Sequence, residues 1–462
     1  MKQCSQSIRG WLKASAMAGA LALGAVAAQA EPFAELGSFE GRLGASSESR
    51  GPIVPGSEVL LGGRGLTPGQ QVTLRQNGEQ LGETVSADEN GEFRLTVTIP
   101  EDAAPGAYPV VAEFANPAFA TTFDVRVAPV LGPIGVEDFT VDSHKGVRGL
   151  YQVAEAPELN AVYVAAANGR PPVTESYIAK LDIDSLEVLA SVSPAEAPEE
   201  GSSSGSVFAA YGIGVDEIRG QVWVTNTRQD TVAVYAADDL SLIKQFDSGT
   251  VSHARDVVLY GGEAYVSATF TPNIAVFDAD SLELVDTIEI QTGQRGETFG
   301  TASLSLDAEA GKLVVAGLGT SEVAVLDLGT GEQKVFHVPG AERVIGVAED
   351  TARNRIYTAN SGSDDVSILD AETGELIKSV PVGSGPLNVA VDPESGLAYV
   401  AVRGSGTVVV INADGEVVGN LDVGTFPNHL AVDSKGGVLV VNKRSGDDDP
   451  KGDLVTRITP KM

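Results

Sequence analysis

Cysteine is almost absent from this sequence. The single cysteine among 462 residues is Cys4, which falls in a leader described below. The rest of the chain therefore has no disulfide, no thiolate metal site and no covalently attached c-type haem. Histidine is nearly as scarce. His144, His253, His337 and His429 are the only four, and none stands in an HxH or HxxxH spacing that would mark a metal site. Long apolar runs are missing too. The longest, residues 16–28, is shorter than the roughly 20 residues needed to cross a bilayer. No P-loop GxxxxGK, no HExxH and no nucleophile elbow is present, so the commonest hydrolase and nucleotide-binding chemistries have no anchor. Positive charge is in deficit: 31 Lys and Arg face 63 Asp and Glu, a net charge of −32. Such a surface repels nucleic acid and anionic lipid at long range. Lysine (12) is scarcer than arginine (19). That balance fits high external salt, which screens self-repulsion, and equally a plain solvated acidic coat.

The start of the chain reads as a signal peptide over residues 1–30. Lys2, Arg9 and Lys13 form a basic entry, 16–28 is apolar, and Ala28-Gln29-Ala30 is a small-x-small cleavage site. Cys4 lies far from that site and is no lipid attachment point. Cleavage moves the net charge from −32 to −35 and implies a periplasmic or extracellular address.

Two unequal parts follow. Residues 31–129 carry short alternating runs punctuated by Thr67-Pro68-Gly69, Asn77-Gly78, Asn90-Gly91 and Ala104-Pro105-Gly106. Roughly seven short strands at this spacing predict an Ig-like β-sandwich. A Pro/Gly-rich linker occupies 130–135. Residues 136–462 repeat a phrase centred on Tyr163, Trp223, Tyr265, Val314, Tyr357, Tyr399 and Val440, at intervals of 60, 42, 49, 43, 42 and 41 residues. A period of roughly 40–50 residues, with several strands each, predicts a β-propeller. Seven centres predict seven blades. The last unit lacks a fourth strand, and 136–141 (VEDFTV) is expected to supply it, leaving the ring without an open edge. The fold class is therefore all-β: a seven-bladed propeller behind a small sandwich.

The repeat YTANSGSDDVSILDAETGELIKSVPVGSGPLNVAVDPESGLAYV, residues 357–400, resembles the YVTN-family β-propeller repeat. Val224-Thr225-Asn226 and Thr358-Ala359-Asn360 match its strand-turn closely, whereas 313–317 departs most. The small domain resembles bacterial Ig-like modules, through Gly63-Arg64-Gly65-Leu66-Thr67-Pro68-Gly69 and the turn from Asp88 to Phe93. Within the propellers the likeness is to the YncE-like periplasmic group. That resemblance implies a signal peptide, no enzymatic role, and single-stranded DNA as a suggested partner. Fold alone does not give function.

Alternation of strands places the blade-to-blade links and the second-to-third turns on one face. Asp182, Asp278, Asp327 and Asp370 fall at turns on the other face and read as turn-makers. Eight propeller arginines fall on the link face: Arg148, Arg170, Arg228, Arg255, Arg295, Arg343, Arg403 and Arg444, joined by Lys145, Lys443 and Lys451. Arg148, Arg255 and Arg343 should approach the central channel. The opposing reading pairs these cations with Asp230, Asp256 and Glu342 as loop ties. A planar guanidinium fork suits carboxylate or phosphate. The expected binding set is Arg148, Arg228, Arg255, Arg343, Arg403, Arg444, Asn388 and His429, taking an anionic small molecule, polymer or protein. No catalytic residue, cofactor or membrane span is expected. Ca²⁺ at the acidic loop 447–453 is a weaker reading, since the D-x-D-x-D-G spacing is missing. Two alternatives remain: a metal-assisted hydrolase or lyase in the channel, and single-strand binding with Tyr211 and Phe426 stacking on bases.

Overall fold

Short β-branched runs closed by Gly, Asn or Asp favour strands at every step, and the computed structural model of the chain is built almost wholly from them. It describes residues 39–48, 51–115, 118–169, 171–198 and 206–461. The leader expected over 1–30 and Arg170 lie outside the described residues. Among the described residues helix is confined to single 3-10 turns, and no helix is long and apolar enough to cross a membrane.

The first part forms two antiparallel sheets. One holds Arg42–Ser47, Glu58–Arg64 and Phe93–Thr98. The other holds Gln71–Gln76, Gly106–Ala115 and Phe119–Val127, with the two-residue pieces Glu79–Gln80 and Val85–Ser86 beside them. Alternation turns Val59 and Leu61 inward against Val72, Leu74, Phe93 and Phe114. Asp88 closes the Asn90-Gly91 turn by accepting from the N–H groups of Asn90 at 2.9 Å and Glu92 at 2.8 Å.

The remainder forms seven four-stranded antiparallel sheets among the described residues. Their inner strands are, in order, Leu150–Ala156, Ala210–Asp216, Ala254–Tyr260, Thr301–Asp307, Val344–Asp350, Pro386–Val391 and Pro427–Asp433. Each inner strand packs beside the next, and the seventh packs beside the first, so the ring is closed. The second strands Gln221–Asn226, Lys312–Gly317 and Arg355–Asn360 are buried on both faces, because neighbouring sheets cover both. Outer strands such as Leu376–Pro381 are largely exposed. The core is therefore shared between sheets. Tyr357, Val366 and Ile368 of the fifth pack with Val389, Val400 and Val409 of the sixth, and fully buried Trp223 of the second meets Phe277 of the third at 5.8 Å between ring centroids. Full burial of one such side chain contributes about 1.5–3 kcal/mol, so no sheet is stable without its neighbours.

The seam lies in the seventh sheet. Its fourth strand is Phe139–Lys145, paired antiparallel with the third strand Leu454–Pro460 from Leu454↔Lys145 to Pro460↔Phe139. Ser143 and Thr456 hydroxyls meet across it at 2.9 Å. The strand starts three residues later than the sequence suggested. Gly135 sits at φ 58 with its Cα against the carbonyl of Val418, where a Cβ would come within 2.1 Å. From there the chain makes a 3-10 turn over Val136–Asp138 before extending.

The four expected turn-makers act as turn-makers. Oδ1 of Asp182, Asp278, Asp327 and Asp370 each accepts two successive backbone N–H groups, for example Gly329 at 3.0 Å and Thr330 at 2.8 Å for Asp327. Those N–H groups hold all four carboxyls below the usual carboxylate range. A second set at the inner-strand ends, Asp216, Asp307, Asp350, Asp392 and Asp433, also accepts backbone N–H groups from the turn that follows.

The seam generates a prediction. A chain beginning at residue 146 lacks the closing strand, whereas one beginning at 136 keeps it. The shorter chain is expected to melt at lower temperature and to associate in light scattering through the open edge of Leu454–Pro460. Equal melts for the two would show that the ring stands without its seam.

Candidate functional site

Each inner strand begins on the link face, and its entry follows one rule. In six of the seven sheets the residue just before it has a left-handed backbone, and its carbonyl accepts from an N–H at the end of the second strand or just beyond it. The pairs are Gly149 with Ala167, His253 with Thr269, Gly300 with Leu318, Arg343 with Ser361, Gly385 with Arg403, and Phe426 with Lys443, at 2.8–3.4 Å. Three sheets use glycine, which adopts this conformation at no steric cost. The others hold His253 (φ 45), Arg343 (φ 57) and Phe426 (φ 53). A side chain there costs roughly 1–2 kcal/mol, and such strain gathers where a side chain is needed for function.

Two residues further in, a girdle ties the inner strands together. Gln152 Oε1 accepts from Ile213 N at 3.0 Å, Asp256 Oδ2 from Leu304 N at 3.0 Å, Asn388 Oδ1 from Leu430 N at 2.9 Å, and His429 Nδ1 from Val153 N at 3.4 Å. In the second and fifth sheets Gly212 and Gly346 take this place, because the next strand approaches too closely for a Cβ. Asn388 and His429, expected as ligand contacts, thus serve first as ties within the ring. Burial, and after it the charge of Arg255, pushes the His429 imidazole down to about 3. It stays neutral, as its acceptor role requires.

Above the girdle lie cations and aromatic rings from sheets on both sides of the seam. Tyr151 and Tyr211, on adjacent inner strands, meet edge to face at 4.5 Å. Lys443 Nζ stands 4.6 Å over the Tyr151 ring, the Arg228 guanidinium 5.9 Å over Tyr211, and the Arg403 guanidinium 4.8 Å over Phe426. Arg403 Nη1 donates to Asn428 Oδ1 at 2.7 Å, and Asn428 Nδ2 donates to the carbonyl of Tyr151 at 2.8 Å. Arg228, Arg255, Arg403 and Lys443 have no carboxylate within ion-pair distance among the described residues. They act on one another instead. Burial, then the charges of Arg403 and Arg228, pushes the Lys443 ammonium down to about 8. Burial also lowers Arg403, while burial and Arg228 lower His253. Arg255 Nε is buried without a hydrogen-bond partner.

The carboxylates expected to neutralise these cations are otherwise engaged. Asp230 accepts from His253 N at 2.6 Å, Asp256 from Leu304 N, and Glu342 pairs with Arg126 of the small domain. Three of the expected residues are placed differently. Arg148 and Arg444 share Asp447, with Glu175 at 3.5 Å from Arg148 and Asp453 at 3.6 Å from Arg444, so both are neutralised. Arg343 is exposed on the fifth-sheet link, and no contact joins it to the cluster. The acidic loop proposed for Ca²⁺ spends Asp447 on these arginines and Asp449 on the N–H groups of Ser445 and Lys451 at 3.0 Å. Among the described residues no three His, Cys, Asp or Glu side chains converge as metal ligands.

The opposite face inverts this chemistry. There Arg219 pairs with Asp216 and Asp280, Arg353 with Asp350, Arg457 with Asp433 and Lys435 with Asp184. Between the faces a lumen of about 1010 Å³ runs from Asp256, Asn388 and His429 to Asp307, Glu309 and Glu349. Sequence reasoning counted Lys443 on the right face but gave it no weight, and it missed Tyr151. The available signal was register: Lys443 follows its second strand just as Arg403 follows its own.

Two outcomes are expected from this geometry. Replacing Phe426 or His253 by glycine relieves the backbone at a left-handed position, so urea unfolding should show stability unchanged or raised by up to about 1 kcal/mol; a loss of several kcal/mol would mean that the side chains are structural. Lys443 binds its proton less tightly folded than unfolded. From this group stability should therefore rise with pH between about 8 and the ordinary value of 10.5, and Lys443→Met should remove that rise in melts taken across the window.

No family model matches the chain. It is 24% identical over 285 residues to the uncharacterized protein YncE of Salmonella typhi, a match covering 58% of this chain and 74% of that protein. The YncE of Salmonella typhimurium matches equally. Among solved structures, virginiamycin B lyase from Staphylococcus aureus superposes with a TM-score of 0.54 at 10% identity, covering 70% of this chain and all of that one. Hydrazine synthase of Kuenenia stuttgartiensis gives 0.53 at 16% identity, over 68% of this chain and 96% of that one. The WD40 repeats of RRP9 give 0.54 at 13% identity, over 71% and 99%. At these identities the likeness is one of fold, and that fold is a β-propeller.

Proposed function

We propose that this chain is a secreted, non-enzymatic binding protein that captures an anionic ligand at the link-face mouth of its propeller. In this reading a cleaved leader (1–30) precedes an Ig-like sandwich (31–129), a short linker (130–135) and a seven-bladed YVTN-type propeller (136–462) that works in the periplasm or outside the cell. The observation that carries it is the Lys443 ammonium, which burial and the charges of Arg403 and Arg228 push down to about 8 against the opposing pull of Asp453, with no carboxylate within ion-pair distance among the described residues. Like charges are held together, partly desolvated, in a chain of net charge −32. Stability alone would replace them or pair them. An anion relieves all of them at once, and charge-assisted bonds to it contribute about 1.5–3 kcal/mol each.

Single-stranded nucleic acid is the second reading, favoured by the aromatic rings. Phe270, 66% exposed, stands 5.0 Å from His253, and Phe426 and Tyr211 lie under guanidinium groups. Bases stack on such rings while cations take the phosphates. The YncE likeness points the same way, while the net charge opposes it. For a metal-assisted hydrolase or lyase, no three His, Cys, Asp or Glu side chains converge to hold the ion among the described residues.

The test is the triple variant Arg228→Ala, Arg403→Ala, Lys443→Ala against pyrophosphate, citrate, polyphosphate, an acidic peptide and an oligothymidylate. Calorimetry should show at least one of these bound by the unaltered chain and weakened tenfold or more in the variant. Unchanged binding, or no anion bound at low salt, would overturn the reading. Retention of the oligonucleotide alone, with steep salt dependence, would select the second one.

A further inference from the structure

We infer a second site, of opposite polarity, in the central lumen: it takes an organic ammonium ion whose apolar body lies along the channel and whose charge rests at the far mouth beside Glu349. Three observations converge on this. The walls of the 1010 Å³ lumen are mostly aliphatic, with Val215, Val258, Leu306 and Val432 left partly exposed to it. Inner strands of six or seven residues at about 3.3 Å per residue give a channel about 20 Å long, suited to an extended chain. Apolar surface on this scale, held open to water, favours an apolar occupant.

The two ends then decide the sign of its charge. At the girdle end Arg255 acts on His429 strongly enough to help keep it neutral, so a cation is unwelcome there. At the far end Asp307, Glu309 and Glu349 line the opening. Asp307 is already engaged, accepting from Thr351 Oγ1 and from the N–H groups of Glu309 and Ala310. Glu349 is not: its Oε2 is buried without a hydrogen-bond partner, and burial holds its carboxyl above the usual range despite the nearby charge of Lys312. An N–H donor bearing positive charge would complete it. A bare metal ion would leave the aliphatic wall unused, and an anion would meet three carboxyl groups at the entrance.

The experiment titrates the unaltered chain with butyl-, hexyl- and octylammonium, and with octanoate and octanol as charge controls. Each methylene buried should tighten binding about fourfold, so octylammonium should bind about 250-fold more tightly than butylammonium. It should also bind at least tenfold more tightly than octanol, and octanoate more weakly than either. Glu349→Gln should weaken the ammonium about tenfold and leave octanol unchanged. Equal binding of the three ammonium ions would overturn the apolar channel, and octanoate matching octylammonium would overturn the assigned charge. The ligand series decides on the natural chain even if the variant does not fold. The ammonium and octanol arms use no anion, and octanoate is titrated also against the Arg228→Ala, Arg403→Ala, Lys443→Ala variant so that the link-face mouth cannot hold it; failure here and failure of the proposed function are therefore separate results.

Discussion

Closure of the ring through the pairing of Phe139–Lys145 with Leu454–Pro460 is the constraint from which the rest follows. Every sheet buries its second strand between neighbours, so an open ring would leave two apolar faces to water. Closure also assembles the link-face site. Arg403, Phe426 and Lys443 belong to the last two sheets, and Tyr151, Tyr211 and Arg228 to the first two. The two groups lie more than 170 residues apart in sequence at their nearest, Arg228 to Arg403. They meet only because the seventh inner strand packs beside the first.

The faces of the ring divide its charge by purpose. On the far face Asp182, Asp278, Asp327 and Asp370 close turns, while Asp216, Asp280, Asp350, Asp433 and Asp184 pair with Arg219, Arg353, Arg457 and Lys435, and both kinds of contact stabilise the fold. On the link face Arg228, Arg403 and Lys443 lean on aromatic rings, and three entry positions accept a strained backbone where glycine would suffice. Ties such as Gln152, Asp256, Asn388 and His429 hold the inner strands rigidly beneath. Strain and repulsion above a rigid base is the arrangement expected of a preorganised binding site rather than of a packing solution.

Much of the architecture was legible in the sequence because it is periodic. The seven repeat centres, the four strands per unit, the missing last strand and the turn role of Asp182, Asp278, Asp327 and Asp370 all follow from spacing and turn chemistry. The start of the closing strand did not, because the 3-10 turn at Val136–Asp138 depends on the distant carbonyl of Val418. The site was legible only as a face. Counting arginines singled out Arg228, Arg255 and Arg403 together with others, but nothing local says that Asp447 reaches both Arg148 and Arg444, or that Asp230 and Glu342 are spent elsewhere. Those are contacts between loops of different sheets. The ties that Asn388 and His429 make to the next inner strand were hidden for a related reason: a polar side chain entering an inner strand can serve the channel, the next strand or both, and alternation does not distinguish these.

The central claim is that an anion lands on Lys443 and its guanidinium neighbours. Calorimetry of pyrophosphate binding near pH 8, where this ammonium titrates, in buffers of different ionisation enthalpy, tests it most directly. Since the anion favours the charged amine, binding should draw protons from the buffer, and Lys443→Met should abolish that uptake. Binding with no proton uptake, or with uptake untouched by the substitution, would contradict the account.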